Sequence, residues 1–416
     1  MTDTGRTARR LDAGWLTHGA VTRLLDILSR DGEEARVAGG AVRNALMNLP
    51  PGDIDVATTA VPEEVIRRVA AEGFKAVPTG IDHGTVTVVA AGTPIEVTTL
   101  RVDVETFGRQ ASVRFGRDWK SDAERRDFTI NAMSVAADGT VYDYGGGLTD
   151  IEARRVRFFG DPARRIAEDY LRILRFFRFH AAYGEGAPDA AGLAACIAGR
   201  DGLDQLSRER VRMELLKLLA AKGVTPTLAV MQEAGILVSI LGGVPLVESV
   251  ARLAPIEAAQ GLAADPILRL AALNVFIAED GERLWQRLRL ANAEQTRLVS
   301  MGDGWRSVRP DADEAPARAL LYRLGPQQFT DRVLLAWARA GAGPDDPAWR
   351  SLATVPQRWS IPVFPLKAAD LMQRGLDKGA ALGVAMRAAE EAWIAAGFPV
   401  DRETLERIAT NALKPA

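Results

Sequence analysis

An α+β fold, with strands and helices mixed in an N-terminal head and helices alone beyond it, is what this 416-residue sequence predicts. Three observations carry the prediction. Runs rich in β-branched residues, notably GTVTVVA (84–90) and PIEVTTLRV (94–102), lie in the first 150 residues and alternate with strand period. At 37–49 a double glycine leads from the end of a short strand into a helix. From Pro162 onward apolar residues recur at helical spacing, broken by Gly and Pro.

Taken in order, residues 15–30 have the spacing of an amphipathic helix that packs on the first sheet. Val37-Ala38 ends a strand, Gly39-Gly40 forms a turn open to a ligand's approach, and 41–49 makes a helix with Arg43 in its first turn. Free N–H groups, bare glycine backbone and an arginine are a place for phosphates. Pro50-Pro51-Gly52 stops the helix, and Asp53-Ile54-Asp55-Val56 alternates as a strand, so that Asp53 and Asp55 share one face. Two neighbouring carboxylates repel each other and are best tolerated around a divalent cation, with Mg²⁺ the natural candidate because it shares its shell with substrate phosphates.

Pro62 and the acids after it begin another helix, which Gly73 closes. The two β-branched runs form a hairpin about Ala91-Gly92-Thr93, and Glu96, between Ile95 and Val97, faces away from the core. Glu96 is therefore either an exposed strand residue or a third carboxylate beside Asp53 and Asp55. Residues 101–124 mix both charge signs with glycines and show no clean period, the composition of a mobile loop. In RRDFTINAM (125–133) guanidiniums beside a carboxylate can grip a triphosphate and a ribose, with Arg126 on phosphate and Asp127 and Asn131 on hydroxyls. VYDYGGGLTD (141–150) lacks the spacing of a phosphate loop and reads as structural.

Residues 161–184 predict one helix with a buried stripe at Ile166, Tyr170, Ile173, Leu174 and Phe177. Its other face carries Asp169 and Arg172, three apart, with Arg175 and Arg178 beyond them. Cytosine and adenine each present an amino donor beside a ring-nitrogen acceptor, whereas uracil and guanine reverse the pattern. An Asp acceptor next to an Arg donor fits the first two and opposes the others. As a plain ion pair the same residues are worth only about 0.2–0.5 kcal/mol.

Composition sets bounds on function. A formal net charge of −2 gives no overall basic signal, so RNA contact has to come from local patches. One cysteine, Cys196, allows no intramolecular disulfide and fits a reducing cytoplasm. No apolar run approaches the roughly 20 residues of a membrane helix. The first ten residues read as a mobile leader. His18, His83 and His180 stand singly, which excludes a His/Asp phosphohydrolase domain.

GGAVRN and DIDVATT together resemble the active-site motif of the polymerase-β nucleotidyltransferases, and in particular the family of class II tRNA nucleotidyltransferases (CCA-adding enzymes) and bacterial poly(A) polymerases. RRDFTINAM matches that family's nucleotide-sugar motif, EDYLRILRFFRF (168–179) its base-selecting motif, and YGGGLTD its hinge between head and neck. LSRERVRMELLKLLAA (206–221) resembles its last common motif and is given no catalytic residue. The resemblance implies a polymerase-β-like head on a small mixed β-sheet (11–150), followed by an all-α neck (151–225), body (226–350) and tail (351–416). It implies Mg²⁺ held by Asp53, Asp55 and Glu96. It also implies nucleotide binding by Gly39, Gly40, Arg43, Arg126, Asp127, Asn131, Asp169, Arg172, Arg175 and Arg178.

The activity implied is template-independent addition of CCA to the tRNA 3′ end from CTP and ATP. PTGIDHGTVTVV (78–89) resembles the corresponding stretch of CCA-adding enzymes more than that of poly(A) polymerases, and 101–124, otherwise a plain surface loop, stands where the family has a flexible loop linked to adding the final A. Near the C-terminus Gly375, Gly379 and Gly383, with Arg374, Lys378 and Arg387, are either an RNA-backbone contact or helix-packing glycines. A poly(A) polymerase of the same class, a nucleotidyltransferase acting on a small hydroxyl compound, and a non-catalytic RNA-binding module remain as alternatives.

Overall fold

The computed structural model describes residues 5–17, 19–90, 92–107, 110–310 and 313–413. His18 and Ala91 therefore lie outside the described residues. The chain divides into two compact units, Met1–Ile240 and Leu241–Ala416.

The first unit begins with β1 (Arg6–Arg10), α1 (Gly14–Thr17), α2 (Ala20–Leu28), β2 (Ala35–Ala38), α3 (Gly40–Leu46) and β3 (Asp55–Thr58). Next come α4 (Pro62–Ala71), β4 (Lys75–Gly80), β5 (Thr85–Ala90), β6 (Thr93–Thr99), β7 (Arg101–Phe107), β8 (Gln110–Phe115) and α5 (Trp119–Glu124). The head ends with β9 (Ser134–Val135), β10 (Thr140–Tyr142) and α6 (Gly147–Glu152). Helices follow: α7 (Pro162–Glu168), α8 (Leu171–Tyr183), α9 (Ala190–Ala198), α10 (Arg208–Leu219) and α11 (Val224–Glu233).

Eight strands form one sheet in the order β1-β10-β9-β2-β3-β6-β5-β4. It is mixed: β3 and β6 are parallel and the other pairs antiparallel. Leu24, Leu25 and Leu28 of α2 and Val65 and Val69 of α4 pack into the core built on Val37, Val56, Val86, Val88 and Val97 of the strands. That burial is what turns the alternation of β-branched residues into a sheet. Register then brings the two halves of the opening motif together. Ala38 pairs with Asp55, so the double glycine leaves β2 beside the first residue of β3.

Four expectations change. The leader assigned to residues 1–10 is a strand from Arg6 on, because Thr7 and its neighbours find an open edge at β10, where Thr7 Oγ1 donates to Val141 O at 2.8 Å. The loop expected over 101–124 contains β7 and β8, paired from Arg101↔Phe115 to Phe107↔Gln110, and then α5. Val102, Val104 and Thr106 alternate with acids there, a strand period that the mixed charges conceal. The helix expected over 41–49 ends at Leu46, with Asn48 at φ 55°. The single helix expected over 161–184 breaks between α7 and α8, where Asp169 is extended at φ −160° and ψ 108°.

Among the described residues the second unit contains helices and no strand, as the sequence predicts. Its interior includes Trp393 and Ile394 packed with Ile408, and Trp337 stacked on Trp349 at 6.2 Å. Gly375 and Gly379 have no atom within 4 Å of an added Cβ, and Gly383 meets only Arg387 Nη1 at 3.8 Å. Helix packing therefore does not require them. Among the described residues no helix is long and apolar enough to cross a membrane.

Candidate active site

A cleft of about 710 Å³ in the first unit gathers residues that lie far apart in sequence. It is lined by Gly39, Gly40 and Arg43 from the glycine turn, Asp53 and Asp55, the RRDFTIN residues Arg126, Asp127 and Asn131, and Asp169, Arg172, Arg175 and Arg178. Asn44 and Arg210 line it too, although the sequence reading named neither as a site residue.

The glycine turn is shaped around Arg126. Gly39 has φ 81° and ψ −126°, and a Cβ there would stand 2.8 Å from Arg126 Nη1. Asp122 of α5 steers Arg126 through long contacts of 3.3 and 3.4 Å, while Arg126 Nη1 reaches Asn131 O at 3.4 Å. Long bonds leave this guanidinium the least committed of the cations beside the carboxylates. Arg43 is different. Buried to 6%, it donates to Asn44 Oδ1, Asn131 Oδ1 and Tyr183 Oη and lies 4.0 Å from the Tyr183 ring centre. Burial lowers its pKa, with the Tyr183 hydroxyl opposing. Arg43 thus ties α3 to the RRDFTIN segment and to α8. Asn44 donates to Pro50 O at 2.9 Å, fixing the turn that delivers Asp53.

Asp53 lies in the bend just before β3 rather than within the strand, because Pro50, Pro51 and Gly52 delay the ladder until Asp55. Parallel pairing sets Glu96 of β6 directly beside Asp55. All three carboxylates are exposed, and among the described residues none enters a salt bridge. Although Asp55 is exposed, the cleft walls strip water from it; this desolvation, then the negative charge of Glu96, pushes its pKa up, while Arg126 partly offsets this and Asp53 adds to it. Among the described residues no three His, Cys, Asp or Glu side chains form a metal cluster by themselves. Two unpaired carboxylates facing a cleft, with a third on the next strand, fit a hard cation that completes its shell with substrate oxygens.

Asp127 is nine-tenths buried. Burial works to raise its pKa, but the Arg175 charge and hydrogen bonds from Asn131, Arg175 and the Phe128 N–H outweigh it and leave the carboxyl low. Arg175 Nε donates to Asp127 Oδ2 at 2.7 Å, and Asn131 Nδ2 to Oδ1 at 3.0 Å. Glu214 of α10, 1% exposed, takes Arg178 and lies 3.6 Å from Arg175. Arg165 of α7 donates to the carbonyls of Arg125 and Arg126, joining neck to head.

Asp169 and Arg172 reach one cleft, and the Arg172 N–H donates to Asp169 O at 3.0 Å, but their side chains bond to other partners. Asp169 Oδ1 accepts from Leu171 N at 3.1 Å, at the start of α8, and Oδ2 accepts from Arg210 Nη2 at 2.7 Å. Arg172 Nη1 donates to Glu168 Oε2 at 2.6 Å and to Arg165 O at 2.7 Å. α10, to which the sequence assigns no catalytic residue, therefore supplies Arg210 beside Asp169 and Glu214 beneath Arg175 and Arg178. The available signal was Glu214, a charge falling on a helix stripe otherwise formed by Val211, Leu215 and Leu218. The glycine-rich turn is structural: Asp143 Oδ1 accepts from the N–H groups of Gly145, Gly146 and Gly147.

Comparison with known proteins agrees with this geometry. Residues 35–157 match the model of the poly A polymerase head domain, and residues 191–248 the model of a probable RNA- and SrmB-binding site of polymerase A. The Mus musculus CCA tRNA nucleotidyltransferase 1, mitochondrial, is 33% identical over 402 residues, covering 92% of this chain and 88% of the relative. The chain belongs to the class II CCA-adding enzyme and poly(A) polymerase family. The CCA-adding enzyme of Limosilactobacillus fermentum, also of this family, is 31% identical over 399 residues, 94% of this chain and 96% of its own. The crystal structure of the Bacillus stearothermophilus CCA-adding enzyme in complex with CTP superposes with a TM-score of 0.77 at 26% identity, covering 94% and 96%. The family's head and all-helical remainder are thus both present here.

Proposed function

We propose that this chain is a CCA tRNA nucleotidyltransferase that adds C, C and A to the 3′ end of tRNA from CTP and ATP. The observation that carries this is one cleft holding an unpaired carboxylate pair at one side and the Asp169 and Arg172 base reader at another. The matching relatives, CCA-adding enzymes along nearly their whole length, select this activity over poly(A) synthesis.

The terminal 3′-oxygen attacks the α-phosphorus of the nucleotide, the bond to the β-phosphate oxygen breaks, and pyrophosphate leaves. Arg126, with the open backbone of Gly39 and Gly40, holds the triphosphate. Asp127 and Asn131 face the ribose, and their bonds to Arg175 and Arg43 fix where they point. Arg175 and Arg178, anchored by Glu214, give the cleft its positive wall. Asp169 accepts from the amino group of cytosine or adenine, and Arg172 donates to the ring nitrogen. Its Nη1 is engaged with Glu168 and Arg165, which leaves Nη2 to reach the base. Asp53 and Asp55, with Glu96, would hold Mg²⁺, which supplies Lewis-acid activation of the hydroxyl and neutralises the leaving phosphates. A cytoplasmic location belongs to the same reading, supported by a lone cysteine that is buried and unpaired.

Incubation with tRNA lacking its CCA end, CTP and ATP is expected to add two C and one A. Long A tracts without use of CTP would favour the poly(A) polymerase alternative. EDTA is expected to stop transfer and Mg²⁺ to restore it.

A further inference from the structure

The second unit presents a basic and aromatic surface with no part in the cleft. Phe276 sits in the bend between the helices Pro266–Asn274 and Ala278–Leu288 and is 47% exposed, and the adjacent Ile277 is 43% exposed. Asp280 pins this bend, accepting from Phe276 N at 2.8 Å and Ile277 N at 3.1 Å. Trp305 packs on Phe276 with ring centres 5.4 Å apart and donates its indole N–H to Phe276 O at 3.0 Å. Exposed Arg306 lies over the Phe276 ring at 4.2 Å. Behind the pair, Arg339 lies 4.5 Å from the Trp305 ring centre and 5.5 Å from that of Phe276.

The charge here is only partly compensated: Asp280 acts on Arg339 through its negative charge, without pairing with it. Arg339 Nη2 donates to Val275 O, but its shielded Nε and Nη1 have no hydrogen-bond partner. Burial, followed by the like charge of Arg306, pulls the Arg339 pKa down to about 10. The nearby acids are used elsewhere: Asp280 binds Arg283 and caps the bend, and Asp303 meets Arg332. Among the described residues neither Arg306 nor Arg339 has an ion pair. A half-buried cation with no paired anion is costly unless something brings more negative charge to it. On a chain of net charge −2 this local excess is not a general property of the surface.

We propose that Phe276, Trp305 and Arg306, backed by Arg339, form a stacking platform for an unpaired base of the RNA substrate, with Arg306 meeting the adjoining phosphate. Moving the flexible Arg306 side chain onto the phosphate uncovers a π-face of Phe276 for a base, and the two arginines favour a polyanion over an apolar partner. The proposal rests on tRNA being the substrate.

The test titrates a fluorescent tRNA transcript lacking CCA with the full chain, Arg306→Gln and Phe276→Leu at several salt concentrations. Arg306→Gln is expected to lower the slope of log K against log salt by about 1. Phe276→Leu is expected to weaken binding roughly five- to hundredfold. The KM for CTP should not change in either. Melting temperatures check folding, and exposed Arg306 provides a variant that leaves the interior intact. If the parent binds tRNA and both variants match it in affinity and salt slope, the platform is overturned alone, and the patch is left to a protein partner. A parent that binds no tRNA overturns the platform and the substrate reading together.

Discussion

Replacing Gly39 by alanine perturbs backbone and site at once, and the two effects have different sizes. At φ 81° and ψ −126° the residue occupies a region that side chains avoid, which costs on the order of 1–3 kcal/mol for alanine. A unit of this size shifts by about 2–4 °C per kcal/mol, so the melting temperature should fall by roughly 2–12 °C. The added Cβ would also stand 2.8 Å from Arg126 Nη1. That atom ends a flexible side chain, so the contact is relieved by moving the guanidinium, and the loss appears in nucleotide binding rather than stability. Gly40→Ala is the control: its Cβ would meet only Arg43 Nη2, at an ordinary 3.6 Å. Alanine there is expected to leave melting unchanged or raise it slightly, since it restricts the unfolded chain. Differential scanning fluorimetry and CTP kinetics read both effects. Equal melting temperatures for the two variants, or a Gly39→Ala enzyme with the parent KM for CTP, would refute the account of the turn.

Asp53→Ala is expected to abolish nucleotide transfer while tRNA binding persists, and undiminished transfer would remove Asp53 from the cation site. Arg172→Ala should reduce the preference for CTP over UTP roughly five- to hundredfold, the worth of one bidentate contact, as read from competing incorporation. Arg210→Ala frees Asp169 from a half-exposed bond of 2.7 Å and should reduce the same ratio by no more than about fivefold. Arg175 and Asn131 hold the folded Asp127 pKa below its unfolded value near 3.9, so its contribution to stability is present at neutral pH and is lost as pH falls through the folded value. Urea midpoints between pH 5 and pH 2 should therefore fall less steeply for Asp127→Asn than for the parent; identical slopes would exclude this pair as a source of acid lability.

Local pattern made much of the head legible. The glycine turn and the β-branched hairpin are each contiguous and form the kind of element their spacing implies, and contiguous RRDFTINAM brings Arg126, Asp127 and Asn131 to the cleft. What escaped depended on partners distant in sequence. β1 exists because β10 offers an edge more than a hundred residues away. Arg210 and Glu214 acquire their significance only when α10 lies against α8. The charges of residues 101–124 hid an alternation that pairing makes visible. Arg43, expected at a phosphate from its place in the first helical turn, lines the cleft, and burial and three side-chain partners also make it a brace.

The break before α8 bears on the base reading proposed for Asp169. On a continuous helix Asp169 would present its carboxylate from the exposed face, free to rotate and paired at most with Arg172. In the extended conformation it sits at the helix start, and Leu171 N fixes one oxygen. The carboxylate is thereby fixed to the element that also carries Arg172, Arg175 and Arg178, so the proposed base reader and the positive wall share one element. Arg210 holds the other oxygen from α10, and that oxygen retains a lone pair for an incoming amino group. Fixing both oxygens also denies Asp169 the rotation by which it could adapt to uracil, whose carbonyl needs a donor. Under the proposed role of Asp169, selection between C and U rests on rigidity as well as on hydrogen-bond chemistry, because a mobile reader could withdraw from the mismatch.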